Sequence, residues 1–267
     1  MKFQRDGLLR RAARWGSLRL LRIAEELDLP DMGRNGELLF LAGVADHCAR
    51  RYGEFVVVDA GANVGGYTGK VIELARARAT PCVVHAFEPG SAAFRQLESR
   101  FGGMAAVRLS RCGLAETAGP AQLHMDADGS SLASLYRREV HARNGDVREE
   151  TVQLIRFDAY ADREGIASVH LLKLDVEGAE YQVLKGMGGW LNPAKVEFVQ
   201  FEYGGTNLDS RVPLRALWEM LENAGYVVAR ILREGLRVLP YSNWMENYCY
   251  ANYAAIARPT YERLTAD

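Results

Sequence analysis

The stretch Val56–Gly69, "VVVDAGANVGGYTG", decides how this chain is read. Three valines run into Asp59, and four glycines follow within nine positions, Gly61 to Gly69. An apolar β-branched run suits a strand buried on both faces. A glycine loop after such a strand, opening a helix, lets backbone pass close to a ligand and offers it free N–H groups at the helix end. Nucleotides, dinucleotides and other ligands use that arrangement. A nucleotide P-loop is excluded, because no G-K-[ST] follows. A dinucleotide fingerprint, G-x-G-x-x-G, is broken, because Asn63 stands at its second glycine. Asp59 two residues before Gly61 is a poor neighbour for a pyrophosphate and suits a ligand with a positive centre and an amino group.

Downstream, short apolar runs alternate with helical stretches. Strands are expected at Phe55–Asp59, Cys82–Glu88, Ala105–Leu109, Val169–Asp175, Val196–Glu202, Tyr226–Leu232 and Tyr250–Ala257. Helices are expected at Tyr67–Arg78, Ser91–Phe101, Ala179–Trp190 and Pro213–Ala224. That alternation predicts a parallel sheet covered on both faces. Its ligands belong beyond the carboxyl ends of the strands. The long connection Ala118–Gln153 breaks the rhythm and reads as a lid or substrate loop. Residues 1–52 read as an N-terminal helical segment, and 53–267 as the main domain.

Beyond Asp59, carboxylates stand at three further strand ends. Glu88 closes "VVHAFEPG", 23 residues past Gly65, where a carboxylate accepts hydrogen bonds from ribose hydroxyls; Pro89 stiffens the next turn. "LLKLDVEGAEYQVLKG" carries Lys173 inside an apolar strand, ends it in Asp175 and adds Glu177 and Glu180. "FVQFEYGG" ends in Glu202. Glu180 reads as a helix-end carboxylate stabilised by the first turn. Lys173 is expected to pair with a carboxylate.

"VVVDAGANVGGYT", "HAFEP" and "LLKLDVEGAE", in this order, resemble the FkbM family of S-adenosylmethionine-dependent methyltransferases, over Glu37 to Arg258. The resemblance implies a Rossmann-like, seven-stranded class I methyltransferase sheet of order 3-2-1-4-5-7-6, last strand antiparallel. It implies S-adenosyl-L-methionine as cofactor, contacted by Asp59, Gly61, Asn63, Gly65, Glu88 and Pro89. It implies O-methylation of a hydroxyl on a sugar, glycan or natural product. Cys112 and Gly113 depart locally from the small polar pair that many relatives carry near the adenine. An alcohol loses its proton as it is methylated, so a general base is expected: Asp175 first, then Glu202 and Glu177. The rival readings are a nicotinamide-dependent oxidoreductase, disfavoured by Asn63, and a non-catalytic binding module.

The rest of the chain sets bounds. With 267 residues, 48% hydrophobic, 25% charged and a net charge of −1, it is long enough for a full core and has no overall attraction for nucleic acid. Cys48, Cys82, Cys112 and Cys249 lie far apart, without zinc-ligand spacing, and read as reduced thiols of a cytoplasmic protein. No metal is assigned. No signal peptide or membrane-spanning run is expected. His47, His85 and His170 read as structural; His124 and His141 stay secondary base candidates. Tyr241, Trp244, Tyr248 and Tyr250 read either as core or as a stacking wall for a sugar ring. Met1 to Ile23 holds seven basic residues against Asp6 and reads as a basic amphipathic helix. Its apolar face is expected first to pack on the domain, and alternatively to meet anionic lipid or a partner protein.

Overall fold

Two helices precede the first strand. The computed structural model of the protein describes residues 7–138 and 147–266. Helix α1 (Leu8–Ala24) has no buried residue, and only Leu21 packs against the core. The expectation that its apolar face packs on the domain is therefore corrected. Helix α2 (Glu37–Arg51) does pack, burying Phe40, Leu41, Val44, Ala45 and Cys48 on one stripe. The three- and four-residue spacing of those positions is the reason.

Strand β1 (Phe55–Ala60) leads through the glycine loop into α3 (Gly66–Ala77). Next come β2 (Cys82–Phe87), α4 (Ser91–Phe101) and β3 (Val107–Ser110). Strands β4 (Gly113–Leu114), β5 (Gly119–Met125) and β6 (Arg148–Ile155) form a separate three-stranded sheet, and α5 (Phe157–Glu164) follows it. The core then resumes with β7 (Val169–Leu174), α6 (Glu180–Gly186) and β8 (Val196–Tyr203). The chain continues through α7 (Thr206–Ser210), α8 (Leu214–Asn223), β9 (Tyr226–Leu232), β10 (Gly235–Val238), β11 (Ala251–Ala257) and α9 (Arg258–Thr265).

The main sheet runs β3-β2-β1-β7-β8-β11-β9-β10. β3, β2, β1, β7 and β8 pair in parallel, and β11 is antiparallel to both neighbours. This is the expected order 3-2-1-4-5-7-6 with an antiparallel last strand, so the chain has the class I methyltransferase topology. An eighth strand, β10, is added at one edge by a tight hairpin from β9.

Both sheet faces are buried, which is why the strands read as apolar runs rather than as alternation. On β1, Phe55 and Val57 join a cluster with α2, α3 and α4, while Val58 and Ala60 join the opposite cluster with α5, α6 and α8. Burying each large apolar side chain contributes about 1.5–3 kcal/mol. A charge at Leu171 or Leu172, both fully buried on adjacent β7 positions, would break one layer or the other. The insertion is an antiparallel pair, β5 with β6, over a small core of Leu123, Met125 and Val152. Among the described residues no helix is long and apolar enough to cross a membrane.

Candidate functional site

The carboxyl ends of β1, β2, β7 and β8 open onto one cavity of about 650 Å³. Its floor is the opening stretch of sequence. Gly61 and Ala62 both donate backbone N–H to Phe87 O, at 3.0 and 2.9 Å, which pins the loop beneath β2. Gly61 has φ +85, and a Cβ there would overlap the backbone carbonyl of Asp175. Only glycine fits both the dihedral and the contact.

The loop is closed by side chains. Asn63 has φ +47, and its Oδ1 accepts the N–H of Val64 at 2.7 Å. Asn63 donates its own N–H to Glu88 Oε2 at 2.9 Å, and Gly90 donates to Glu88 Oε1 at 2.7 Å. Glu88 thus ties the loop after β1 to the turn after β2. Burial pushes its carboxyl up to about 7, against both hydrogen bonds. Asp59, at the end of β1, accepts from Thr68 Oγ1 at 2.6 Å. Burial pushes it up to about 6, opposed by Thr68 and by Lys173.

Asp59, Gly61, Asn63, Glu88 and Pro89 all line the cavity. Gly65 does not. It has φ +81, and a Cβ there would run into Phe101 and Leu97, so its smallness serves the packing of α4 beneath the loop.

Lys173 is the centre of the second group. Its Nζ lies 3.2 Å from Glu202 Oε1 and 3.7 Å from both Asp175 Oδ2 and Glu37 Oε2, and above the Tyr67 ring. Burial alone would discharge this ammonium, but the carboxylates of Glu202, Asp175 and Glu37 raise its pKa well above the ordinary value. Three carboxylates around one ammonium leave an excess of negative charge. Burial first, then Asp175, raises the pKa of Glu202, which also accepts from Tyr250 Oη at 2.9 Å. The side chain of Asp175 is 41% exposed against 21% for Glu202, so Asp175 presents the more accessible carboxylate.

Glu177 lines the cavity but is occupied. Arg138 Nη1 donates to its Oε2 at 2.6 Å, and Ser134 Oγ donates to its backbone O at 2.7 Å. Burial and Asp175 push Glu177 up to about 7 despite Arg138. Glu180 is buried outside the cavity, and its Oε1 accepts the Gly178 N–H at 3.2 Å, which is a turn-closing role.

The insertion supplies a wall. Ser130 to Leu135 and Arg138 reach the cavity, fastened by backbone hydrogen bonds between His124 and Ser134 and by the Arg138–Glu177 pair. His141 lies outside the described residues. His124 sits 3.3 Å from Glu149 and does not line the cavity. His47 meets Glu197, His85 meets Tyr160, and His170 Nδ1 accepts the Val56 N–H, so all three have structural partners.

Of the four aromatics in the last connection, Tyr250 alone lines the cavity. Tyr241 packs edge-on against Trp218, Tyr248 tilts on Tyr203, and Trp244 borders a different crevice. A stacking wall built from all four is therefore corrected to a single ring. Gly113 lines the cavity, whereas Cys112 packs against the core, and burial pushes its thiol up to about 11. Among the described residues no group of three or more His, Cys, Asp or Glu is arranged to hold a metal ion.

Sequence reasoning missed Glu37, Tyr67, Gln200 and Arg138. Tyr67 Oη donates to Gln200 Oε1 at 2.7 Å, and Gln200 Nε2 donates to Glu37 Oε2 at 2.7 Å. One signal pointed that way: a lysine inside an apolar strand demands an acidic partner. Nothing in the chain order says that the partner comes from α2.

The methyltransferase FkbM domain family model matches residues 59–228. Over 173 residues the chain is 30% identical to methyltransferase sdnD of Sordaria araneosa, a match covering 53% of this chain and 65% of that protein. It is 26% identical over 177 residues to 2-O-methyltransferase NoeI of Sinorhizobium fredii, covering 62% of this chain and 70% of that one. Among solved structures, an rRNA methylase from Streptococcus thermophilus aligns at 15% identity with a TM-score of 0.42, over 83% of this chain and 93% of that chain. The family match takes in more than half of the chain and starts at the carboxylate that closes β1. The protein belongs to the family of FkbM methyltransferases.

Proposed function

We propose that this chain is an S-adenosylmethionine-dependent O-methyltransferase acting on a hydroxyl of a sugar, glycan or natural product. The charge of the cavity carries the reading. Among the described residues, Glu37, Asp59, Glu88, Asp175, Glu177 and Glu202 line it, against Lys173 and Arg138. That excess of carboxylates fits a cationic sulfonium with an ammonium group and repels a dinucleotide pyrophosphate. The likeness to a 2-O-methyltransferase supports transfer to oxygen.

Asp59 and the Gly61 turn would hold the methionine end, and Glu88 the ribose hydroxyls. When bound, the cofactor supplies an activated methyl on a good leaving group. The chain's own task is then to position the alcohol, exclude water and take a proton. Asp175 is suited to the proton: it is accessible, touches the turn at Gly61 through its backbone, and lies 3.7 Å from the ammonium of Lys173, which it shares with Glu202 and Glu37. Tyr250 and the Ser130–Leu135 wall face the same space and would bound the acceptor.

Calorimetry with S-adenosylhomocysteine, followed by turnover on a panel of hydroxylated acceptors, tests this. Binding should occur in the wild type and weaken by about 1–3 kcal/mol in Glu88→Ala, the cost of losing charged hydrogen bonds. No binding of S-adenosylhomocysteine by folded protein would overturn the reading.

A further inference from the structure

Helix α1 is an unusual element for a folded domain. Leu8, Leu9, Trp15, Leu20 and Ile23 are each between 66% and 87% exposed. On a helix of 3.6 residues per turn these five fall on one arc, together with Ala12 and Ala13. Arg11 and Arg22 edge that arc on one side and Arg10 on the other; Arg19 lies within it, and Arg14 lies opposite. No Asp or Glu occurs between Leu8 and Ala24. Leu21, the residue that touches the core, sits on the opposite side. Leu21 is the residue through which α1 packs on the core, so the rest of the helix stands exposed: the apolar arc in full, and Leu18 (51% exposed) on the arginine-rich side.

An exposed apolar arc bordered by arginines, with no acidic residue, matches one surface chemistry: the headgroup–acyl boundary of an anionic bilayer. Tryptophan and leucine enter the boundary, while arginine stems lie along it and their guanidinium groups stay with the phosphates. We propose that α1 lies in the plane of an anionic lipid surface and docks this protein there.

The docked helix would also be linked to the cavity. Arg22 pairs with Asp28 at 3.0 Å. Asp28 donates its backbone N–H to Tyr250 O at 3.0 Å, and its Oδ1 accepts the Tyr250 N–H at 3.1 Å. Pro30 and Met32, a few residues on, line the cavity itself. A lipid-bound α1 would thus be tied to the cavity rim through Arg22, Asp28 and Tyr250.

Flotation of the full chain with vesicles tests the proposal. Mixed phosphatidylglycerol–phosphatidylcholine vesicles should carry the protein at low salt and release most of it at high salt; pure phosphatidylcholine should carry little. Leu9→Glu combined with Leu20→Glu should abolish flotation. Arg10→Gln combined with Arg11→Gln should weaken it about 25-fold, at about fivefold per basic residue near an anionic surface. None of these positions is buried, so the fold should be retained, which an unchanged thermal midpoint verifies. Fluorescence of Trp15, isolated by difference against Trp15→Phe, should shift to the blue with anionic vesicles. Three results would overturn the proposal: equal flotation on neutral vesicles, flotation unchanged in both double variants, or no flotation together with a self-association that Leu9→Glu/Leu20→Glu abolishes. The last would assign the arc to a second copy of this chain.

Discussion

The backbone carbonyl oxygen of Asp175 fills the space that a Cβ on Gly61 would need. The turn after β1 and the end of β7 are thus held in direct backbone contact, and Asp175 donates its own N–H to Ala60 O at 3.0 Å. The loop expected to cradle the cofactor and the carboxylate expected to take the proton are one rigid unit.

Gly61→Ala should therefore be costly. The substituent meets backbone, which cannot swing aside, and φ +85 disfavours any L side chain. Strain of about 1–3 kcal/mol is expected, with the loop forced off β7. The measurable result is a lowered thermal midpoint and loss of S-adenosylhomocysteine binding. Wild-type affinity in this variant would show that the contact gives way freely.

Asp175→Asn keeps the shape and removes the carboxylate proposed to accept the proton. Turnover should fall roughly 10²–10⁴-fold, with much less change in S-adenosylhomocysteine affinity. If turnover survives here and disappears in Glu202→Gln, the base is Glu202. Loss of binding together with turnover makes Asp175 an organiser of the site instead.

Lys173→Met leaves Glu37, Asp175 and Glu202 without their shared cation. Removing one partner of a buried ionic group costs about 3–5 kcal/mol. The deficit should shrink on acidification, because protonated carboxyls need no counter-charge. Denaturant titrations of the variant and the wild type at two pH values would read this; a deficit independent of pH would mean that lost packing, not charge, is responsible.

Acidity should also move the wild type. Burial raises Asp59 to about 6 and Glu88, Glu177 and Glu180 to about 7. Through that window the folded chain keeps protons that the unfolded chain, with carboxyls near 4.5, has released. More protons on the folded state means that stability falls as pH rises from about 4.5 to about 7. The thermal midpoint of the ligand-free protein should accordingly be higher near pH 6 than near pH 8. Binding of a cationic ligand should run the opposite way and tighten as the carboxylates ionise. Burial lowers His85 and His170, which pulls stability the other way at pH values below the ordinary histidine pKa; a midpoint that still rises from pH 7 to pH 8 would show that the carboxyls are not buried as described.

Reading the chain order reached far into the centre of the fold. Each of β1, β2, β7 and β8 is a short apolar run ending in or next to a carboxylate, and both features survive as sequence because both faces of these strands are buried. The glycine turn was visible for a related reason: Gly61 and Gly65 stand where backbone conformation tolerates little else. Gly65 illustrates the limit. Its glycine identity is explained by Phe101 and Leu97, not by the cavity, and only packing distinguishes the two. The strands of the insertion and β10 were not read, because β5 and β6 mix charged and apolar positions on a half-exposed pair and β10 is a four-residue edge.

The amino-acid order by itself determined the parallel sheet, the strand-end carboxylates and the basic amphipathic character of α1, because periodicity and residue type are local properties. The tertiary structure alone decided which carboxylates share Lys173, that Glu37 arrives from α2 to join them, that Arg138 occupies Glu177, and that the apolar arc of α1 stands exposed. Those are facts of distance between segments far apart in the chain, set by how the two core layers close on the sheet, and no local pattern carries them.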